Sequence, residues 1–474
     1  MHSPDPIPLS NNLYTTSQLT LAIDSGLTSM SALNTTALAL PNTSYNGLGM
    51  VPQMGWNSWN TFGCSISEDI ILKAAQALVD SGLSELGYTY VLIDDCWHAS
   101  ARHSDGRPKE DPTKFPRGLS ALVDDIHNLG LKAGIYSSAG IYTCGLEFGS
   151  LGYEEIDAKA YADWGFDYLK YDNCFSAGQF GTAKLSYDRY KLMSNALVNT
   201  GRDIFYSICN WGQDQSWMWA TTISNSYRMS GDIDDTFNQQ KDWCPFDANS
   251  NAPEGHGCSI ANILEKASPI LQKQVRGAWA DLDMLEVGNG GMSTDEYIVH
   301  FTMWALLKSP LILGNDLTNM DEVAKNIVSN KALIAINQIM QGSANPAQRV
   351  KGKFGEVQIW KGSLPDGAYT VAIINFTDED IIMDVLFKDI FRDDGENVQA
   401  IKFKAVDLWA GFFYSNSEDT AFGSNDLPDT VSDQLSQLEI RKHAGRFWVF
   451  KPIDEEEEKK VLIGKYNMQS SRSV

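Results

Sequence analysis

Composition and charge set the first limits on what this chain can do. It has 474 residues, 43% of them hydrophobic, and 37 Lys and Arg against 60 Asp and Glu give a formal net charge of −23. This acidic balance argues against nucleic acid or an anionic membrane as a partner and favours a neutral ligand, and the length suffices for two domains. No apolar stretch approaches the roughly 20 residues that cross a bilayer. The 13 Trp and 18 Tyr fit either a sugar-binding protein or a large aromatic core.

The first 48 residues are predicted to form a poorly structured extension. They are rich in Ser, Thr, Asn and Leu and have no clear periodicity. They lack a basic segment followed by an apolar one, so we expect no secretory signal at Met1. Glycosylation sequons begin at Asn34 and Asn42, and a third begins at Asn375, although such triplets also occur by chance.

Eight strand-like runs follow. They lie at Met54–Trp59, Tyr88–Asp95, Leu131–Ser138, Asp167–Asp172, Ile204–Asn210, Tyr227–Asp232, Trp279–Leu285 and Pro310–Asp316. Amphipathic stretches separate most of them, such as Ser67–Ser81, which is followed by Gly82, and Gly118–Leu129. Eight strands that mostly alternate with helices over about 280 residues predict a (β/α)8 barrel, which we assign to residues 49–330.

A doubly wound open sheet is the main alternative to the barrel. That fold would be expected to carry a glycine-rich phosphate-binding loop after an early strand. The segment Met54-Gly-Trp-Asn-Ser-Trp59, which occupies this place in the chain, is not such a loop. The sequence therefore favours the barrel over the open sheet.

Polar side chains end six of the predicted strands. They are Asp94 and Asp95 on the second, Tyr136 on the third, Lys170 and Asp172 on the fourth, Asn210 and Trp211 on the fifth, Arg228 and Asp232 on the sixth, and Asp281 and Asp283 on the seventh. Barrel enzymes place their chemistry at the carboxyl ends of strands, so we expect these side chains to line one pocket. Lys170 and Asp172 point to the same side of their strand because they are two residues apart. Taken singly, each carboxylate could instead be a helix cap or half of a buried ion pair.

Glycoside hydrolysis is the chemistry that suits these residues best. A metal site would need clustered His, Asp and Glu, but the seven His are scattered and only His98 lies near a strand end. A serine hydrolase would need a Gly-x-Ser-x-Gly turn, which the sequence lacks. Two carboxylates among polar and aromatic neighbours can act on a glycosidic bond as nucleophile and acid/base. We therefore expect neither a metal nor a cofactor.

Four motifs resemble those of the α-galactosidases of glycoside hydrolase family 27, in clan D. They are Met54-Gly-Trp-Asn-Ser-Trp59, Ile93-Asp-Asp-Cys-Trp97, Tyr168-Leu-Lys-Tyr-Asp-Asn-Cys174 and Asp283-Met-Leu-Glu-Val-Gly-Asn-Gly-Gly-Met-Ser293, in the order of the family. The resemblance spans about Val51 to Phe450. It implies a retaining enzyme that releases terminal α-galactose by double displacement, with Asp172 as the nucleophile and Asp232 as the general acid/base.

The same resemblance implies a set of sugar-binding residues. Asp94 and Asp95 would bind the galactose 4- and 6-hydroxyls, Trp59 would stack on the sugar, and further contacts would come from Tyr136, Lys170, Arg228 and Asp283, with Asn210 and Trp211 at the end of the fifth strand. Adjacent side chains diverge on a regular strand, so the chain must bend at Asp94 and Asp95 for both to reach one sugar. The alternative to a sugar contact is that Asp95 only caps the segment that follows.

The two implied catalytic carboxyls need different protonation states. Lys170 should favour the ionised form of Asp172. Negative neighbours such as Asp234 and Asp235 would contribute to a raised pKa of Asp232, which has to carry a proton at the start. In a retaining enzyme the two carboxyl groups should lie roughly 5–5.5 Å apart.

Asn210 is the main departure from the family pattern. This position faces the substituent at C2 of the sugar and is Glu in many α-galactosidases and Ser in the related α-N-acetylgalactosaminidases. Asn can hydrogen-bond a 2-hydroxyl and would crowd an N-acetyl group, so we favour galactose. Activity on α-N-acetylgalactosaminides or β-L-arabinopyranosides stays open, and an inactive sugar-binding protein is the alternative of another class. The seventh-strand motif also reads Asp281-Leu-Asp283 where Asp-Pro-Asp is common.

Seven cysteines leave one unpaired. The expected bridges are Cys64–Cys96 and Cys144–Cys174, both implied by the resemblance, and Cys244–Cys258, which flank an insertion rich in Pro, Asn and Gly. Cys209 remains as a free thiol, since Ser224 occupies the place of its expected partner. Disulfides and sequons indicate an oxidising compartment, so we expect a secreted protein despite the missing signal.

After Asn330 the pattern changes to short alternating strands. They are predicted at Val357–Trp360, Tyr369–Asn375, Gln399–Leu408 and Arg446–Lys451. This pattern predicts an antiparallel β-sandwich over residues 331–453, with a structural role or, alternatively, a sugar-binding one. The remaining residues, 454–474, begin with a run of acidic side chains and are predicted to form a solvated tail. The expected partner is an α-galactoside oligosaccharide, polysaccharide or glycoconjugate, with no nucleic acid or membrane.

Overall fold

A computed structural model describes most of the chain. It covers residues 45–239, 244, 256–339, 345–394, 396–399, 401–410 and 430–453. Most of the predicted N-terminal extension, the sequons at Asn34 and Asn42, and the acidic tail 454–474 lie outside the described residues.

Eight parallel strands form the first sheet. They are β1 (Met54–Asn57), β2 (Tyr90–Leu92), β3 (Lys132–Ser138), β4 (Tyr168–Asp172), β5 (Phe205–Cys209), β6 (Ser226–Arg228), β7 (Trp279–Asp281) and β8 (Leu311–Leu313). From β1 to β7 each strand pairs in parallel with the next strand of the sheet, and β8 pairs with β1. The ring closes where Leu285, which follows β7, bridges to Leu313 of β8. The predicted (β/α)8 barrel is therefore confirmed.

Helices connect most of these strands. Their bounds are Trp59–Phe62, Glu68–Asp80, Leu119–Asn128, Glu154–Asp163, Ala183–Asn199, Ile260–Ala267, Thr294–Leu306, Glu322–Val328 and Lys331–Gln338. The helix predicted at Ser67–Ser81 begins where the Ser67 hydroxyl accepts a hydrogen bond from the amide of Ile70 at 3.3 Å, with Glu68 and Asp69 in its first turn. Within the described ranges, no helix is long and apolar enough to cross a bilayer.

Successive side chains along a strand point alternately toward the helices and toward the interior of the barrel, and this alternation separates core residues from site residues. On β4, Leu169 and Tyr171 are fully buried in the large cluster that the barrel shares with its helices. Tyr168 faces inward instead, where it packs with apolar side chains from other strands, among them Phe205, whose ring stacks on it with centroids 4.9 Å apart. Lys170 lines the same interior cavity as Tyr168. Inward positions are therefore apolar at the bottom of the barrel and polar at the carboxyl ends of the strands.

The second half of the chain is antiparallel. Its strands are β9 (Gln348–Lys351), β10 (Val357–Ser363), β11 (Tyr369–Asn375), β12 (Ile381–Leu386), β13 (Phe403–Asp407), β14 (Gln434–Ile440) and β15 (Gly445–Pro452), with short helices at Phe387–Ile390 and Glu396–Gln399. One sheet has the order β9-β10-β11-β15-β13, and β12 pairs with β14 in a second. The predicted class of this domain is confirmed. The strand predicted from Gln399 begins only at Phe403, however, and β9, β12 and β14 were not predicted.

The five-stranded sheet buries both of its faces. Ile359 and Val371 pack in a core of their own with side chains of β12 and β14. Trp360 and Ala372, on the opposite face, join the cluster that contains the barrel helices. Polar contacts reinforce this junction, including a hydrogen bond of 3.0 Å from the indole N–H of Trp409 to the hydroxyl of Thr302. The β-domain therefore packs directly on the barrel.

The third sequon lies in this junction region and is buried. Asn375 ends β11 and has no exposed surface. Its Nδ2 lies 2.8–3.3 Å from the carbonyl oxygens of Glu379, Ile440 and Arg441, and its Oδ1 accepts a hydrogen bond from the Thr377 amide. The Asn375 amide is thus part of the fold and is not accessible to a glycan in the folded protein.

Candidate active site

Asp172 lies at the carboxyl end of β4, in a closely hydrogen-bonded setting. Its Oδ2 accepts a hydrogen bond of 2.8 Å from the hydroxyl of Tyr136, and its Oδ1 accepts one of 2.8 Å from the backbone N–H of Asn173. Burial raises the pKa of Asp172 to about 7, the positive charge of Lys170 opposes that rise, and the negative charge of Asp232 adds to it. Lys170 therefore acts in the expected direction, but burial has the larger effect.

Asp94 is held by two donors on one oxygen. Its Oδ2 accepts hydrogen bonds from Lys170 Nζ at 2.8 Å and from Asn57 Nδ2 at 2.7 Å, while its Oδ1 accepts one from the amide of Asp95 at 3.0 Å. Burial alone would lower the pKa of Lys170, but Asp94, Cys209 and Asp172 raise it well above its usual value. Lys170 is thus held in its charged form between Asp94, which follows β2, and Asp172, which ends β4.

Asp95 is only 1% exposed and faces a different set of partners. The chain bends after β2, and Cys96 takes a left-handed conformation with φ of 69°. Asp95 Oδ1 accepts from the amide of Cys96 and Oδ2 from the amide of Gly145, both at 2.7 Å. The predicted bend is present, and the two carboxylate oxygens accept from backbone N–H groups, one in the segment that follows and one in the loop after β3.

Arg228 organises the other side of the site. Its Nη2 lies 3.0 Å from Asp232 Oδ1 and 2.7 Å from Asp283 Oδ2, and its Nη1 lies 3.5 Å from the sulfur of Cys209. Asp283 also accepts a hydrogen bond of 2.8 Å from the amide of Ile233. Burial raises the pKa of Asp283, against the effect of Arg228. The guanidinium therefore binds the implied acid/base and fastens the segment that carries it to the end of the seventh strand.

The loop after β5 carries Asn210 and Trp211. Asn210 is fully buried, and its Nδ2 donates to the carbonyl of Gln213 at 2.8 Å. Its Oδ1 has no hydrogen-bond partner among the described residues. Trp211, Asp214 and Gln215 all have φ between 52° and 58°, which is unusual for residues other than glycine. This loop thus holds an unsatisfied amide oxygen in a strained backbone, a combination common at binding sites.

The remaining predicted residues are peripheral to these two clusters. Trp59 is half-buried at the start of a short helix after β1 and packs on the apolar cluster inside the barrel. Asp235 binds the amide of Gly291 at 2.5 Å and the hydroxyl of Tyr297 at 2.8 Å, so its carboxylate is engaged by the loop after β7.

Three buried residues at this end of the barrel were not assigned to the site from the sequence. Asn57 bonds Asp94, Cys209 lines the cavity together with Lys170 and Arg228, and Glu286 accepts hydrogen bonds from Asn60 and Asn289. Burial raises the pKa of Glu286 to about 8. Asn57 and Glu286 both lie inside the motifs that carry the family resemblance, and a polar side chain that ends a buried strand was the available signal.

Disulfides tie the loops around the site. The bonds are Cys64–Cys96, Cys144–Cys174 and Cys244–Cys258, and Cys209 is a buried free thiol. These are the pairs that the sequence analysis expected. The first two join the loops after β1 and β2 and the loops after β3 and β4.

Comparison with protein families decides the classification. A family described as α-galactosidase A matches residues 51–339, and the α-galactosidase C-terminal β-sandwich domain matches residues 354–428. The chain belongs to this α-galactosidase family. The resemblance to glycoside hydrolase family 27 that the four motifs indicated is thereby confirmed.

Individual members of the family are similar over most of their length. The α-galactosidase of Schizosaccharomyces pombe is 47% identical over 413 residues, which cover 86% of this chain and 90% of that protein. α-Galactosidase 1 of Saccharomyces cerevisiae is 45% identical over 395 residues, covering 81% and 83%.

Solved structures agree with the fold. α-Galactosidase I from Mortierella vinacea has a TM-score of 0.79 and 49% identity, over 86% of this chain and 98% of that one. The Saccharomyces cerevisiae α-galactosidase, solved with raffinose, has a TM-score of 0.79 and 39% identity, over 87% of this chain and all of that one. A β-L-arabinopyranosidase from Geobacillus stearothermophilus, at 22% identity, shares the fold.

Proposed function

We propose that this protein is a retaining α-galactosidase in which Asp172 is the nucleophile and Asp232 the general acid/base. The observation that carries the proposal is the pair of clusters at the strand ends, one around Asp172 with Tyr136 and Lys170, the other around Asp232 with Arg228. Family membership supports the reaction, and the geometry supports the assignment of roles.

The reaction takes place in two displacements. First, an oxygen of Asp172 bonds to the anomeric carbon while Asp232 gives its proton to the glycosidic oxygen, and the leaving group departs as an alcohol. Then Asp232 takes a proton from water, the water oxygen bonds to the anomeric carbon, and the ester to Asp172 breaks. Tyr136 and the Asn173 amide, which each donate to one oxygen of Asp172, fix the carboxylate plane for this attack.

Recognition of galactose is assigned to the residues around these two carboxyls. Asp94 offers Oδ1 to a sugar hydroxyl because Lys170 and Asn57 both bind its Oδ2. Asn210 offers an unpaired Oδ1 to the 2-hydroxyl. Trp59 provides a half-buried aromatic face for the sugar. Asp95, Arg228, Asp283 and Trp211 complete the proposed pocket, with Asp95 also serving as a loop anchor.

Asn210 favours galactose over its N-acetylated analogue. The residue is fully buried and its amide nitrogen is held by Gln213, so it cannot swing aside to admit an acetamido group without breaking that bond. β-L-Arabinopyranose, which lacks the hydroxymethyl group of galactose, is the other alternative, and it requires no such space. An inactive sugar-binding protein is disfavoured because both implied catalytic carboxyls are present.

The natural substrates are proposed to be α-galactosides such as raffinose, the sugar bound in the solved Saccharomyces cerevisiae structure. We further propose that residues 49–330 form the catalytic domain, residues 331–453 a structural β-sandwich, and that the protein acts outside the cell. Three disulfides support that location, because such bonds persist in oxidising environments.

Hydrolysis of three p-nitrophenyl glycosides tests the function. The α-galactoside, the α-N-acetylgalactosaminide and the β-L-arabinopyranoside are compared with the wild-type protein and Asp172→Ala. Turnover of the galactoside that vanishes in the variant is the expected result. Preference for another glycoside would keep the mechanism and overturn the interpretation of Asn210, and no turnover of any of the three would favour the binding protein.

A further inference from the structure

Asn57 connects two parts of the proposed sugar site. It ends β1, is 2% exposed, and lines the cavity at the bottom of the site. Its Nδ2 donates to Asp94 Oδ2 at 2.7 Å, and its Oδ1 accepts from the backbone N–H of Trp59 at 2.8 Å. One buried amide thus binds both the carboxylate assigned to the galactose hydroxyls and the backbone of the aromatic residue assigned to stack on the ring.

The orientation of this amide is set by its two partners. A carboxylate only accepts hydrogen bonds and a backbone N–H only donates, so a flipped Asn57 would face oxygen with oxygen and N–H with N–H. A Leu of similar size satisfies neither partner, and an ionised Asp satisfies only the Trp59 amide. Asn is therefore the residue of this shape that bonds both the ionised carboxylate of Asp94 and the backbone N–H of Trp59.

The contact at Asp94 decides which oxygen faces the substrate. Asn57 and Lys170 approach the same oxygen, Oδ2, at 2.7 and 2.8 Å. Lys170 alone is a rotatable point donor and does not fix the plane of a carboxylate. With two donors on Oδ2 and the Asp95 amide on Oδ1, the carboxylate has one orientation, and Oδ1 retains a lone pair for a ligand.

We propose that Asn57 is a positioning residue for galactose recognition, acting through the orientation of Asp94 and the backbone of Trp59. This inference rests on the proposed function, because it takes Asp94 and Trp59 as sugar contacts. It adds a residue that makes no contact with the reacting atoms and that neither the sequence pattern nor the family resemblance assigned.

Two substitutions separate the two bonds of Asn57. Asn57→Leu removes both. Asn57→Asp keeps an acceptor for the Trp59 amide but places a second carboxyl against Asp94, within a cavity also lined by Lys170, Arg228, Asp281 and Asp283. Two carboxyls that share a site do not both ionise easily, so one of them binds a proton as the pH falls, and the bond to Asp94 is then restored as O–H to oxygen.

Steady-state hydrolysis of p-nitrophenyl α-galactoside from pH 4 to 8, with galactose as a competitive inhibitor, tests the inference. For Asn57→Leu we expect kcat/KM to fall about 10- to 100-fold and the inhibition constant of galactose to rise in parallel. For Asn57→Asp we expect a similar loss at pH 8 and recovery to within about fivefold of wild type at pH 4. Asn225→Leu is the matched control, since Asn225 is a fully buried, hydrogen-bonded asparagine that precedes β6 at the opposite end of the barrel.

The outcomes are distinguishable. If the wild type does not cleave the α-galactoside, the proposed function fails. If the wild type is active and Asn57→Leu keeps kcat/KM and galactose inhibition within about twofold, the inference about Asn57 is wrong while the function stands. If Asn57→Leu does not fold, the pH profile of Asn57→Asp decides, and a loss independent of pH, like that of Asn225→Leu, would show a structural role only.

Discussion

Lys170 on β4 forms its ion pair with Asp94, which follows β2, and not with Asp172 on its own strand. Its Nζ lies 2.8 Å from Asp94 Oδ2, and the two side chains are 14% and 2% exposed. The lysine thus has two effects. It fixes a carboxylate assigned to sugar binding through a direct bond, and it lowers the pKa of Asp172 through its charge.

Removal of Lys170 should therefore cost stability as well as activity. Lys170→Met leaves the buried Asp94 without its ionic partner, and we expect a loss of about 3–5 kcal/mol in unfolding free energy. Chemical denaturation measures it. The double variant Lys170→Met/Asp94→Asn should regain a large part of the loss, while Lys159→Met, whose pair with Asp163 is on the surface, should change little. Additive losses at 170 and 94 would show that the two residues do not interact.

The raised pKa of Asp172 predicts that this residue destabilises the protein at neutral pH. The unfolded chain releases the proton near pH 3.8 and the folded protein releases it near pH 7, so stability falls as the pH rises across that window. Asp172→Asn removes this effect and should stabilise the fold by about 4 kcal/mol at pH 8 but hardly at pH 4. Thermal unfolding at both pH values checks the difference. Asp163→Asn, an exposed carboxylate on a helix, is the control, and an equal stabilisation at both pH values would contradict the interpretation.

Asp232→Asn should affect substrates according to their leaving group. A general acid contributes about 10²- to 10⁴-fold, so raffinose hydrolysis should fall by that factor. α-Galactosyl fluoride needs no proton to react and should still form the covalent intermediate with Asp172. Azide, a nucleophile that needs no base, should then restore turnover and give α-galactosyl azide.

Product analysis by NMR distinguishes this result from its opposite. Asp172→Asn treated in the same way should yield no azide of α configuration, because the covalent intermediate cannot form. Equal losses of Asp232→Asn on raffinose and on the fluoride, without rescue by azide, would assign the acid/base to another residue.

The sequon at Asn375 should carry no glycan in the folded protein. Its amide has no exposed surface and binds three backbone carbonyls, so peptide mapping of protein from a glycosylating host should find Asn375 unmodified. Asn375→Ala should lower the unfolding free energy by about 2–4 kcal/mol, since buried carbonyls lose their donors. Thr377→Val destroys the sequon but keeps the amide, and its smaller effect is the control. A glycosylated Asn375 in active protein would contradict the position of β11.

The sequence predicted the barrel well because its signals are local. Strand ends that carry Asp172, Arg228 and Asp283 interrupt apolar runs, and a cap such as Ser67 marks the start of a helix. The hydrogen bond from Lys170 to Asp94 could not be predicted from local signals, because it depends on how far each strand extends past its neighbour. The same holds for Asp95, whose partner Gly145 lies 50 residues away.

The second domain shows where periodicity fails. In β14, Leu435, Leu438 and Ile440 are buried, so the alternation skips a residue between the first two. Gln437 has a left-handed φ of 52°, and the pairing of β12 with β14 shifts register at the same place. Such a bulge breaks the period of two that identifies a strand in a sequence. The strand β14 was missed for that reason.

The two disulfides near the site have a consequence for how the enzyme comes into being. Cys64–Cys96 joins the first two loops, Cys144–Cys174 joins the third and fourth, and the bond from the Gly145 amide to Asp95 links one bridge to the other. Asp172 lies two residues from the last cysteine of this belt. Oxidation of these cysteines therefore preorganises the loops around Asp172, the proposed nucleophile, and we expect the protein to reach this arrangement where thiols are allowed to pair.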